Sequence, residues 1–333
     1  MFLTFDSSKR WYEMQAYLGI LASVSTGLRF DKHQKKFIHP STSKVKKGHY
    51  FDPYLFKDNV FQAHERDAFE HTTSTGEKAG VKRYDYRELY FWFQYGIDAA
   101  LLAKYGVVAL AYYVMWVKNG QYLRMNKAEQ NSPMYGILIT TDCFKVYRPY
   151  LKTKDFKFIQ VGRGMRPSNW LFGHAQLEEN GDVLFITGGE KDCLTLAARG
   201  FNAISAKSET CWLPDQIAED IIERFKVVVT VFDNDATGIE GGKKFAEKYG
   251  FYPVVFPAFN RPNGFTGKDV ADFFENDEEN EQLPRFVDLV YTQVTQQLLA
   301  DGRAKKVEVM ESWKERGGKN ESRKQRNSKI ILI

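Results

Sequence analysis

The chain has 333 residues, 43% hydrophobic and 27% charged, with a net charge of +5, which indicates a globular protein of two or three domains with a buried core. Cys143, Cys193 and Cys211 are its only cysteines, and none is paired at metal-ligand spacing; a disulfide framework and a cysteine zinc ribbon are excluded. The longest weakly polar stretch, Tyr105 to Val117, is too short to span a bilayer, and the N-terminus lacks the pattern of a secretory signal.

The charge is segregated. Residues 1–50 carry nine Lys/Arg against three Asp/Glu, and residues 301–333 carry ten against five, so the middle of the chain is acidic. Basic ends around an acidic centre suit a protein that contacts phosphate backbones and gathers carboxylates for metal ions. Solvated basic tails account for the same distribution.

In chain order, residues 1–82 form a basic region of unreadable fold, with a short amphipathic helix over Trp11 to Leu21. His33, His39 and His49 read as scattered surface histidines, because no cysteine lies nearby to complete a zinc site. The small, polar stretch His71 to Gly80 reads as a linker or long loop.

Residues 83–180 read as an α+β subdomain. Arg83 to Tyr105 is helical, broken at Gly96-Ile97-Asp98, and its seven aromatics between Tyr84 and Tyr95 are expected to pack in a core. From Val114 the period becomes two, and Asn119-Gly120 between alternating runs signals a hairpin. Strands Gly136 to Thr140 and Phe144 to Arg148 follow.

Residues 181–275 alternate between apolar strands and helices. The strands are Val183 to Thr187, Ala203 to Ser205, Val227 to Phe232 and Tyr252 to Phe256; the helices are Asp192 to Arg199, Pro214 to Phe225 and Ile239 to Tyr249. That alternation predicts a parallel sheet covered on both faces, with its site at the carboxyl ends of the strands. Residues 276–300 read as a C-terminal helix, and 301–333 as a disordered basic tail.

Three strand ends carry acids. Asp233 and Asp235 follow the strand Val227 to Phe232; residues two apart on an extended chain project to the same side, and a divalent cation is the natural remedy for their repulsion. Gly188-Gly189-Glu190-Lys191-Asp192 follows the first strand, where the glycines permit a tight turn and the helix start favours negative charge. Gly267-Lys268-Asp269, with Asp272 one turn on, forms the third cluster.

A strand ending in Gly-Glu-x-Asp, a second ending in Phe-Asp-Asn-Asp-x-x-Gly, and then Lys-Asp resembles the toprim signature of primases and topoisomerases. The segment TGGEKDCLTL at 187–196 is similar to the corresponding block of phage primase-helicases and of the mitochondrial helicase Twinkle. Lys154-Asp155-Phe156-Lys157-Phe158, Trp170-Leu171-Phe172-Gly173 and Tyr95-Gly96-Ile97 resemble further elements of that primase half, so the likeness covers about residues 85 to 275.

The resemblance implies a toprim fold, a Rossmann-like parallel sheet with helices on both faces, preceded by a small α+β primase-type subdomain. It implies Mg²⁺ or Mn²⁺ held by the catalytic acids Asp233 and Asp235, with Asp269 as an outer acid of the metal site, and phosphate contacts from Lys154, Lys157, Lys268 and, more weakly, Arg148. Glu190, with Asp192 in support, is expected to stand in as catalytic residue and metal ligand for the family's first glutamate, which is Gly188 here. The partners implied are a single-stranded DNA template, nucleoside triphosphates and a separate replicative helicase, in phage or mobile-element replication in the cytoplasm of a bacterial host, without a membrane.

Three positions depart from the family. Gly188 stands where it has its first glutamate, no zinc ribbon is present, and Gly241-Gly242-Lys243 lacks the spacing of a nucleotide-binding P-loop, so no helicase motor is expected. A non-catalytic module that binds nucleic acid or recruits a helicase, and a toprim nuclease, are the alternative readings.

Overall fold

The computed structural model describes residues 69–117, 122–129, 132–140, 143–151, 157–162, 171–206, 208, 212–261, 264–277 and 280–320, and the backbone of two short antiparallel strands, β1 (Arg29–Asp31) and β2 (Lys36–Ile38). The chain divides into two compact units, Met1–Leu89 with Leu102–Arg166, and Tyr90–Leu101 with Pro167–Ile333. Among the described residues no helix is long and apolar enough to cross a membrane.

The first unit is an antiparallel sheet in the order β3-β4-β5-β7-β8-β9, with β6 also pairing β5. Its strands are β3 (Phe69–Thr72), β4 (Lys78–Lys82), β5 (Val107–Val117), β6 (Tyr122–Lys127), β7 (Met134–Thr140), β8 (Cys143–Tyr147) and β9 (Phe158–Val161). Ala79, Val81, Val108, Leu110, Tyr113, Met134, Phe144, Val146 and Val161 form its core. β5 and β6 pair antiparallel from Tyr112↔Lys127 to Val117↔Tyr122; the Asn119-Gly120 turn expected between them lies outside the described residues.

The stretch His71 to Gly80 is not a linker. It is the β3–β4 hairpin, and the polar residues that made it look like a loop satisfy one another. The Thr73 N–H donates to the Glu77 carbonyl at 2.8 Å, while the hydroxyls of Thr73 (2.7 Å) and Thr75 donate to the buried Glu77 carboxylate.

Helices α1 (Tyr86–Phe93) and α2 (Ala99–Lys104) contribute Tyr90–Leu101 to the second unit. The boundary therefore differs from breaks at 82 and 180. The local reason is hydrogen bonding: Arg199 Nη1 donates to the Tyr95 carbonyl at 2.8 Å, and Asn276 N–H donates to the Gln94 carbonyl at 2.6 Å.

The second unit is built on four parallel strands in the order β11-β10-β12-β13: β10 (Gly181–Thr187), β11 (Asn202–Ser205), β12 (Phe225–Val231) and β13 (Tyr252–Pro253). Its helices are α3 (Glu190–Ala198), α4 (Asp215–Arg224), α5 (Ala236–Tyr249), α6 (Val270–Phe273), α7 (Gln282–Ala300) and α8 (Ala304–Glu315).

Alternation along β10 sends Leu184 and Ile186 to one face, against Ile217 and Ile221 of α4 and Phe245 of α5. Phe185 points the other way, towards Phe286 of α7 and Trp313 of α8, at ring separations of 5.6 and 6.1 Å. Covered on both faces, the sheet consists of near-continuous apolar runs.

Two expectations are corrected here. The strand expected over Tyr252 to Phe256 pairs only at its first two residues, because the Gln293 side chain takes the N–H (3.0 Å) and carbonyl (2.8 Å) of Val255. The disorder expected from residue 301 does not hold for 301–320, where α8 buries Met310 and Trp313 completely. Beyond α8, Arg316 pairs with the buried Asp182 at 2.5 Å, and Asn320 Oδ1 accepts from the N–H groups of Asp182 and Val183. The apolar side chains recur three apart, a narrow stripe that average polarity conceals.

Candidate metal centre

The site lies at the carboxyl ends of the parallel strands. β10 ends at Thr187, whose hydroxyl donates to the Gly189 carbonyl at 2.9 Å and closes the turn into α3. Asp192, in the first turn of α3, is 7% exposed, and its Oδ1 accepts from the Ala271 N–H at 2.9 Å. The acid that a helix dipole would welcome at the surface is instead turned inward onto α6.

β12 ends at Val231, and Asp233, Asn234 and Asp235 lead into α5. Asn234 fixes the crossing of three segments, since its N–H donates to the Lys268 carbonyl (2.7 Å) and its side-chain amide to the Phe256 carbonyl (3.0 Å). The two aspartates then divide the work. Asp235 is the N-cap of α5, its Oδ1 accepting from Thr237 and Gly238 N–H, both at 3.0 Å. Asp233 pairs with the Lys268 ammonium, which also stands 4.0 Å from Asp235.

The third acid, Asp269, caps α6 by accepting from the Asp272 N–H at 2.6 Å. Lys191 approaches its other oxygen at 3.8 Å while standing 4.6 Å over the Tyr95 ring. Asp272 accepts from the Lys268 N–H at 3.2 Å and pairs with Arg261 at 3.1 Å; Arg261 also makes two bonds to Glu275, at 2.8 and 3.0 Å. The loop carrying Lys268 and Asp269 is thus pinned from behind by Arg261.

Among the described residues, the carboxylates that come together are Asp192, Asp233 and Asp269, with one oxygen of each within 4.8 Å of the others. Three carboxylate oxygens suit a hard divalent cation. Magnesium ligands at about 2.1 Å stand at most about 4.2 Å apart, so a slight inward movement of the acids would seat one ion. Burial pushes the Asp192 carboxyl well up, reinforced by Asp269, while Lys191 and the Ala271 N–H oppose the rise. Burial likewise raises Asp233 against the pull of Lys268, and raises Asp272 with help from Asp269. For Lys268 burial acts downward, but its bond to Asp233 and the surrounding acids raise it overall. Burial and mutual repulsion among closely packed carboxylates are what a divalent ion would relieve.

Glu190 opens α3 and is buried, but it lies outside this group of three, as does Asp235. Lys154 lies outside the described residues. Lys157 and Arg148 belong to the first unit, where Lys157 stands 6.0 Å from the Tyr147 ring and its carbonyl accepts from Arg148 N–H at 2.9 Å. Arg261 was not legible beforehand, because an arginine in a turn carries no spacing signal. Asp272, three residues after the α6 cap, was visible as an acid but not as an anchor.

Gly238 follows from the same geometry. A Cβ on Gly238 would overlap the Asp233 carbonyl oxygen and lie 2.9 Å from its nitrogen. Gly238→Ala is expected to destabilise the protein by about 1–3 kcal/mol by overpacking and to weaken Mn²⁺ binding, as calorimetric melting and metal titration would measure. An unchanged metal affinity would show that Asp233 tolerates the displacement.

This is a mixed α/β protein with an acidic cluster at the strand ends. No family model and no curated protein matches the chain. Among solved structures it is similar to the primase fragment of the bacteriophage T7 primase-helicase, at 16% identity over 63% of this chain and 78% of that one (TM-score 0.37). It is also similar to the Aquifex aeolicus primase zinc-binding and RNA polymerase domains, at 16% identity over 68% of this chain and 60% of that one (TM-score 0.44). A third similarity is to the E. coli primase catalytic core, at 13% identity over 66% and 89% (TM-score 0.38).

Proposed function

We propose that the chain is a primase-type nucleotidyltransferase core of the toprim kind, making primers on single-stranded DNA from nucleoside triphosphates with Mg²⁺ or Mn²⁺. The observation that carries this reading is the convergence of Asp192 from the first turn of α3 after β10, Asp233 from the end of β12 and Asp269 from the start of α6, with Lys191 and Lys268 beside them. The motifs around these acids point to the same chemistry. Asp192, Asp233 and Asp269 are the residues that would hold the cation, and Asp235 and Glu190 are candidates for completing the shell. The cation would supply Lewis-acid stabilisation of phosphate oxygens and an acidified 3′-hydroxyl.

The chain's own groups do the rest. Lys268 is half exposed and offers phosphate a point charge without demanding bidentate geometry. Lys191 keeps Asp269 in place, and Arg261 holds the loop behind both. Lys154, Lys157 and Arg148 are proposed to contact nucleotide or template phosphates. A separate helicase would do the unwinding, in phage or mobile-element replication.

A second reading, a non-catalytic nucleic-acid-binding module, is favoured by Gly188, which stands where the family has a glutamate. One experiment separates the readings: purified protein with mixed-sequence single-stranded DNA, labelled nucleotides and Mg²⁺ or Mn²⁺. Short labelled oligomers are expected. DNA binding without oligomers would select the non-catalytic module, and shortened template a nuclease.

A further inference from the structure

The turn between α1 and α2 belongs to the second unit and is pinned from two sides. Within the turn, the N–H groups of Tyr95 and Ile97 both donate to the Trp92 carbonyl, at 3.0 and 3.2 Å. Gly96 between them has a φ of 75°, a left-handed conformation that glycine adopts without strain. From outside, the buried Arg199 donates to the Tyr95 carbonyl at 2.8 Å, stands 3.8 Å from the centre of the Phe274 ring and pairs with Asp277 at 3.9 Å. Moving the turn would leave that guanidinium buried and short of a partner, which is costly.

What the turn fixes in place is the Tyr95 ring. It is buried, meets Phe91 edge-on at 5.7 Å, and lies under the Lys191 ammonium at 4.6 Å from its centre. Burial pushes the Tyr95 hydroxyl up to about 12, with Lys191 opposing, so the ammonium faces a neutral phenol. The same ammonium stands 3.8 Å from Asp269 Oδ2, beyond hydrogen-bond distance. Asp269 Oδ1 is already taken by the cap on α6. The oxygen that Asp269 has left for a metal ion is therefore the one that Lys191 approaches. An ammonium beside a carboxylate usually closes to about 2.7–2.9 Å. Lys268, half exposed, does bond directly to Asp233. Lys191, seated over a ring, stops short.

We propose that Tyr95 is a positioning residue of the metal centre: its ring keeps the Lys191 ammonium beside Asp269 but short of it, and so leaves that carboxylate oxygen to a divalent cation. This rests on the reading of the acid cluster as a metal centre. The electron-rich face replaces part of the hydration the ammonium has lost, which lowers the gain from closing onto the acid. Without the ring, Lys191 would close onto Asp269 and compete with the metal ion for the same oxygen.

The test measures Mn²⁺ affinity by electron paramagnetic resonance for wild type, Tyr95→Leu, Tyr95→Phe, Lys191→Met and Tyr95→Leu/Lys191→Met. Tyr95→Leu is expected to weaken Mn²⁺ binding by about three- to ten-fold, the size of one partly desolvated cation–π contact. Tyr95→Phe keeps the ring and should bind as wild type does. Lys191→Met removes the competing charge while Asp269 keeps its cap bond to α6, so it should bind Mn²⁺ more tightly than wild type. In that background Tyr95→Leu should change nothing. The last comparison separates positioning from packing, because a cavity left by Tyr95→Leu would act with or without the lysine. The proposal is overturned if Tyr95→Leu binds Mn²⁺ as wild type does, if it weakens binding equally in both backgrounds, or if Lys191→Met binds no more tightly than wild type. Should Tyr95→Leu fail to fold, Lys191→Met and Tyr95→Phe still decide. Failure of the underlying reading looks different: the Asp192→Asn/Asp233→Asn double variant would then keep its Mn²⁺ uptake, and the role of Tyr95 would fall with the metal centre. Uptake lost in that double variant, with no coupling between Tyr95 and Lys191, removes the positioning role alone.

Discussion

Asp192→Asn is expected to abolish nucleotide transfer as completely as Asp233→Asn, whereas Asp235→Asn should cost only about ten-fold. Asp192 and Asp233 each give an oxygen to the group of three, and neither is replaced by a neighbour in that geometry. Losing even an outer partner of a metal ligand typically costs roughly 10–100-fold, so losing a direct one should cost about a hundred-fold or more. Asp235 differs because its Oδ1 is spent on the N-terminus of α5, and asparagine caps a helix as well as aspartate does. The asparagine would lose only the charge opposite Lys268. Steady-state transfer rates of the three variants check the order; a dead Asp235→Asn beside an active Asp192→Asn would reverse the assignment.

The second large effect is on stability. Trp313 is fully buried against Phe185 and Phe201, at ring separations of 6.1 and 6.2 Å, on the face of the sheet covered by α7 and α8. Trp313→Ala leaves a cavity there and should lower stability by about 3–5 kcal/mol. If the second unit melts by itself, its melting temperature should then fall by about 6–20 °C, at roughly 2–4 °C per kcal/mol for a unit of that size. A chain cut at residue 301 would lose more, because the pairing of Arg316 with Asp182 and the bonds of Asn320 go with it. A thermal melt of Trp313→Ala within a degree or so of wild type would show α8 to be detachable.

The sheet of the second unit was readable because each strand is an apolar run and each helix carries its own start or stop. Val227 to Phe232 reads as a buried strand on composition alone, and the acids after it follow. The third acid cluster was visible only as charge some way beyond the expected strand Tyr252 to Phe256; the short strand Thr266–Gly267 that delivers Lys268 and Asp269 carries too few residues to show a period.

What the residues concealed is which acids meet. Asp233 and Asp235 share a side of an extended chain, yet Asp235 turns to cap α5 while Asp233 turns inward, a choice made by the helix start and not by spacing. Glu190 and Asp192 are one helical turn's neighbours, and only the packing of α6 against α3 selects Asp192. Average polarity misled twice: Thr73, Thr75 and Glu77 satisfy one another in a hairpin turn, and Met310 and Trp313 supply a core stripe within a basic segment.

Manganese binding, followed by electron paramagnetic resonance, tests the metal centre most directly. Wild type is expected to take up Mn²⁺, with Mg²⁺ competing for it, and the Asp192→Asn/Asp233→Asn double variant to lose that uptake while keeping its fold by circular dichroism. Equal Mn²⁺ uptake by the folded double variant would place the metal elsewhere and contradict the assignment of these strand ends as the catalytic centre.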